Sequence, residues 1–159
     1  MKKIILILSI IALAGCKSKK IDTPVVEEVK TIKLTINEVT TFQKERAYDL
    51  GKRILMTCNT SKFKPFTESE ATKSVINNIT LEKLSKTCAK YRQWYGDFKD
   101  LQLIEIYKDI NKSTTIFRYK ALYTKKVANK ELRVYLNEKD KISAIKSMDW
   151  FDLFERKSY

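Results

Sequence analysis

Reactive side chains are few in this chain, and their types narrow the chemistry sharply. There are three cysteines, Cys16, Cys58 and Cys88, and no histidine. Without histidine the commonest general base at neutral pH is missing, and with it every Ser-His or Cys-His nucleophile pair and most catalytic zinc sites. A carboxylate could still act as a base. Asp97, Asp100 and Glu105 lie around the start of an extended segment. Glu105 falls on the alternation of Leu101 and Leu103, which would point it inward with a raised pKa; the plainer alternative is a carboxylate paired with Arg118 or Arg133 across a sheet. The chain has only three glycines, so no glycine-rich phosphate loop can form. Two isolated cysteines without histidine make no closed zinc site, and no metal or other cofactor is expected.

The amino end has the layout of an export signal. Lys2 and Lys3 precede the apolar run Ile4 to Ala14, which at about 1.5 Å per residue covers roughly half of a hydrocarbon core about 30 Å thick. It therefore suits removal rather than permanent insertion. The run closes on Leu13, Ala14, Gly15 and Cys16, which resembles the lipobox of bacterial lipoproteins. The resemblance implies a signal peptide over 1–15, acylation of the Cys16 thiol, cleavage before it, and a membrane held through a lipid anchor in the cell envelope. Cys58 and Cys88 then remain as an even pair in a compartment where disulfides persist, and the alternatives are a bond between them or two buried thiols.

Charge adds a second constraint. Removing Lys2 and Lys3 leaves 30 basic against 19 acidic residues, so the mature chain attracts anionic partners at the envelope. The lysines are scattered, which is the pattern of a solvated surface. Aromatic and basic residues interleave at Tyr119, Lys120, Tyr123, Lys125 and Lys126. Strand alternation places the tyrosines and the neighbouring cations on opposite faces, so nucleic acid is not the expected partner.

The elements that must position these residues follow from periodicity. Residues 16–30 are polar, contain Pro24 and read as a tether with a mean reach of about 20 Å. Residues 31–159 fit one α+β domain. Ile32, Leu34 and Ile36 alternate as in a short strand. Val39, Ala47, Leu50, Gly51, Ile54 and Cys58 predict a helix over Glu38 to Thr57. Thr67 and Glu70 have capping-box spacing for a short helix to Asn77, and Leu81, Leu84, Cys88, Tyr91 and Tyr95 predict a third helix that stops at Gly96. Strands follow at Leu101 to Lys108, Ser113 to Thr124, Lys130 to Asn137 and Lys141 to Met148, with short turns that imply an antiparallel meander. Trp150, Phe151 and Phe154 close the chain as a cover for a sheet edge or for the mouth of a cavity.

Helices first and a four-stranded antiparallel meander afterwards, with Trp94, Tyr95, Gly96 and Phe98 at the junction, resemble the nuclear transport factor two-like, or cystatin-like cone, superfamily. The resemblance implies helices packed on a curved four-stranded sheet that leaves a cone-shaped pocket. On that basis the expected function is a non-enzymatic envelope module that captures an amphipathic ligand or another envelope protein. Tyr119, Tyr123 and Trp150 are then the expected pocket rim. The alternative is a cone-pocket hydrolase or isomerase with Glu105 or Asp97 as base. Fold by itself does not choose between them.

Overall fold

The computed structural model describes residues 31–155. The leader, Cys16, the tether and residues 156–159 lie outside the described residues, and so does the expected lipidation.

α1 (Thr41–Thr60) begins where Thr40 accepts a hydrogen bond from the Gln43 amide and Gln43 answers to the Thr40 amide. This satisfies two of the donors that a helix start leaves unpaired. The helix ends at Ser61, which adopts a left-handed φ of 56°. Its buried stripe, Ala47, Leu50, Ile54 and Leu55, faces the sheet. Gly51 sits at the closest approach, where a Cβ would stand 3.0 Å from Val134 Cγ2 and 3.1 Å from Leu132 Cδ2. Glycine there lets the helix settle onto the fourth strand.

Thr67 and Glu70 do meet, the Thr67 amide donating to the Glu70 carboxylate at 2.9 Å, but only a turn results. The expected helix is displaced because the Ile142 amide donates to the Glu70 carbonyl and the Thr72 amide to the Ile142 carbonyl, which ties this stretch to the sheet edge. α2 (Lys73–Asn78) starts afterwards, capped by Thr72. α3 (Leu81–Tyr95) is capped by Thr80 and stops at Gly96, whose φ of +77° and contact with Thr124 leave no room for a Cβ.

The sheet has five strands, not four. β1 (Thr31–Leu34), β2 (Phe98–Asp109), β3 (Thr114–Tyr123), β4 (Lys130–Leu136) and β5 (Ile142–Asp149) lie side by side in chain order with every neighbour antiparallel. The extra strand arises because β2 is long, and β1 pairs with its last four residues, Ile106 to Asp109. Register slips at Lys99 and Ile104 in β2 and again at Ser143 in β5, opposite the step from Tyr135 to Leu136. Such bulges bend a strand and increase its twist.

The bulge at Ile104 also reverses the side-chain alternation. Leu101 and Leu103 point to the helices, and so does Ile106, but Glu105 pairs with Arg118 on the opposite face. Of the two readings of Glu105, the pairing with Arg118 across the sheet holds and the inward placement does not, since one inserted residue flips every side chain beyond it. Phe117, Tyr119, Ala121, Leu132 and Val134 complete the interior beneath α1, each at most 3% exposed. No helix among the described residues is long and apolar enough to cross a membrane.

Candidate functional site

α3 is held to α1 by a disulfide between Cys58 and Cys88, which closes 30 residues of sequence. It meets the sheet through the aromatic residues at its C-terminal end. Tyr91 and Tyr95 contact Tyr123 with ring centres 6.3 and 5.7 Å away, and Phe98 reaches the same ring at 5.7 Å. Further back along the helix, α3 stands off from β5. The gap is a groove of about 160 Å³ floored by Ile54, Leu55 and Leu132, walled by Cys58, Cys88 and Leu84, and edged by Ile79 and Ile145. At one end the Tyr91 hydroxyl lies 3.1 Å from Ser147 Oγ.

Beyond that end sits Lys130. Its ammonium lies 2.7 Å from Asp149 and over the rings of Tyr91 and Tyr95 at 5.4 and 5.3 Å. Burial by itself would lower its pKa, but the hydrogen bond to Asp149 and the neighbouring phenols outweigh burial and hold it above the ordinary lysine value. Lys130 thus closes the aromatic cluster as a permanent cation.

The expected rim residues do not meet. Tyr119 and Tyr123 are interior residues, 1% and 8% exposed, because they alternate with Phe117 and Ala121 on the helix-facing side of β3. Burial pushes both phenols well above the usual tyrosine range. Neither hydroxyl finds a hydrogen-bond partner among the described residues. Trp150 lies on the other side of the sheet.

That other side carries charge. Arg118 is completely buried and bridges Glu105 at 2.6 Å and Glu131 at 2.8 Å, and Glu131 also binds Arg133. Lys33 of β1 adds a second cation to Glu105 at 2.7 Å. Burial would raise the Glu105 pKa, but the hydrogen bonds from Lys33 and Arg118 prevail and hold it below the ordinary glutamate value. The Tyr107 phenol, buried and beside Glu105, is pushed up to about 12.

The closing segment covers neither a sheet edge nor a cavity mouth. It runs across this charged face as a strap. Arg118 donates to the Phe151 carbonyl and Arg133 to the Glu155 carbonyl. Trp150 lies over the Arg118 guanidinium at 3.9 Å, and Phe154 stacks on Tyr107 at 3.8 Å with Arg133 above it at 4.4 Å. The strap goes there because two buried guanidiniums hold donors that the carboxylates leave over, and a bare peptide carbonyl can accept them.

The three carboxylates considered as bases are dispersed. Asp97 is exposed and 3.4 Å from Arg92, while Asp100 accepts from Tyr48 at 2.6 Å and from Lys52 at 3.0 Å. The Tyr48 hydrogen bond, followed by that of Lys52, lowers the Asp100 pKa. A proton acceptor near neutral pH needs the opposite shift. No three of the described Cys, Asp or Glu residues form a cluster that could hold a metal ion.

Sequence reasoning named Tyr91 and Tyr95 only as part of a helix stripe, and it did not single out Lys130 or Ser147. The available signal was the i, i+4 spacing of two tyrosines at the helix end, followed by a lysine on the inner alternation of β4. The chain matches no family model, no curated protein and no solved structure.

Proposed function

We propose that this chain is an exported, lipid-anchored module of the bacterial cell envelope, which binds an apolar or amphipathic ligand without catalysing a reaction on it. In this reading Cys16 carries the acyl anchor, residues 16–30 are the tether, and the domain is a cystatin-like cone with its concave side toward α1. The bulges in the sheet, a device that bends strands, support the cone assignment.

The observation that carries the reading is the apolar groove walled by the Cys58–Cys88 bond. A disulfide persists in oxidising compartments, in keeping with export, and it fixes the positions of two lining residues of the groove. A groove lined by aliphatic side chains with two hydroxyls at one end suits capture by burial and orientation by hydrogen bonds. The carboxylate-base alternative draws no support from Glu105, which is ion-paired twice and has a lowered pKa.

The direct test is mass spectrometry of the protein recovered from membranes. The expected result is a mature chain that begins at Cys16 and bears acyl chains, with Cys16→Ser leaving the membrane fraction. An unmodified thiol on a chain that retains its leader would overturn the proposal.

A further inference from the structure

We infer that the groove between α3 and β5 is a site for one medium-length fatty acid, its alkyl chain along Ile54, Leu84 and Ile145 and its carboxylate at Tyr91 and Ser147. This rests on the reading of the protein as a ligand-binding module and names the ligand.

Three features of the groove select that class. The first is size: 160 Å³ falls below the roughly 300–1,000 Å³ of sites for drug-sized ligands and near the ~150 Å³ of an apolar cavity that holds benzene. At about 30 Å³ for a water-sized group it takes five or six carbons of a single chain, and a two-chain lipid does not fit.

The second is the pair of hydroxyls at the end of the groove. Tyr91 and Ser147 are 3.1 Å apart and at present bond to each other, which uses only one of their two donors. A carboxylate accepts only, and its two oxygens can take a hydrogen bond from both hydroxyls at once, with the added strength of a charged acceptor.

The charge of α3 is the third. The helix carries Lys83, Lys86, Lys90 and Arg92, of which Lys86 is matched by Glu82 at 3.3 Å and Arg92 by Asp97 at 3.4 Å. Lys83 and Lys90 remain as excess exposed cations on the helix that walls the groove, and their field favours an anionic head over a cationic one.

The experiment adds an octanoate analogue with a diazirine on its chain to isolated membranes that carry the full protein, followed by irradiation and peptide mapping. Labels are expected between Ile79 and Tyr91 and between Ile142 and Ser147. Hexanoate is expected to displace the probe more than tenfold better than butanoate, since each methylene buried within the groove contributes about fourfold in affinity, and octyltrimethylammonium not to displace it. Leu84→Trp, which fills the groove, is expected to cut labelling at least tenfold. Thr87→Trp is the second filler and stands at an exposed rim position, so it keeps the test open if the first variant does not fold. Tyr91→Phe with Ser147→Ala is expected to weaken octanoate about tenfold and octanol less, since a charged acceptor gains more from the two hydroxyls than a neutral one.

Labelling undiminished in both tryptophan variants, labels confined to other peptides, or equal displacement by octyltrimethylammonium would overturn the inference. The same spectra report the state of Cys16. Acylated Cys16 without groove labelling ends this inference alone, whereas groove labelling on a chain with an unmodified Cys16 ends the anchoring proposal and leaves the fatty-acid site standing.

Discussion

Arg118 and Trp150 join the last described segment of the chain to the middle of the sheet: the indole lies 3.9 Å from a guanidinium that is itself wholly buried and bridged to Glu105 and Glu131. The strap is thereby part of the fold. Trp150→Ala removes a desolvated cation–π contact and the apolar cover over Arg118, and is expected to lower stability by about 2 kcal/mol. Denaturant titration with an unchanged slope would check this, and a midpoint equal to that of the parent would show that the strap only rests on the surface.

Arg118→Met tests the network beneath. It leaves Glu131 with Arg133 alone and Glu105 with exposed Lys33, and breaking a buried pair from one side costs about 3–5 kcal/mol. Adding Glu131→Leu and Arg133→Met to Arg118→Met, so that the buried charges of this cluster leave together, is expected to recover part of that loss. A triple variant less stable than Arg118→Met would contradict the account.

Reduction of Cys58–Cys88 should lower stability by about 3–4 kcal/mol in the chain-entropy description of a loop of 30 residues. α3 should loosen first, because the bond is its covalent tie to α1. Hydrogen exchange with and without reductant would show protection falling over 81–95 while β3 and β4 stay protected; uniform loss across the domain would point to global unfolding instead.

Tyr119 and Tyr123 separate interior from rim. Replacing either by Phe removes a buried hydroxyl that has no partner among the described residues, and is expected to leave stability unchanged or raise it by up to about 1 kcal/mol. Replacing either by Ala should cost about 3–5 kcal/mol. A mild effect of the Ala variants on thermal unfolding would place the rings at the surface.

Acid stability should depend on Glu70. The hydrogen bonds of Arg53 hold its carboxyl down at about 2, against 4.5 when unperturbed. A carboxyl with a depressed folded-state pKa contributes stability that is full above about 4.5 and is lost as the pH falls toward 2. Arg53→Met should therefore flatten the stability curve between pH 5 and pH 2. An equally steep curve in the variant would assign the acid sensitivity elsewhere.

Much of the fold could be read in local patterns. The stripe from Val39 to Cys58 and the Gly96 stop each name their element, because helical spacing and the glycine stop act within a few residues. The strand limits came within three residues of the observed ones for the same reason. Thr67 and Glu70 show the boundary of that logic. Their capping contact formed, yet backbone bonds to Ile142, some seventy residues away, decided that no helix would begin there.

Residue types and order by themselves determined the absence of histidine chemistry, the α+β order and the inward set of β3. Those depend on composition and on the twofold alternation of a strand. Only tertiary structure decided which way Glu105 faces, where the strap lies and that a groove opens between α3 and β5. One unpaired residue at Ile104 inverts all that follows it, and no local rule marks it. The groove lies where α3, bonded to α1 through Cys58 and Cys88, faces β5, an arrangement made between elements far apart in the chain and invisible within either one.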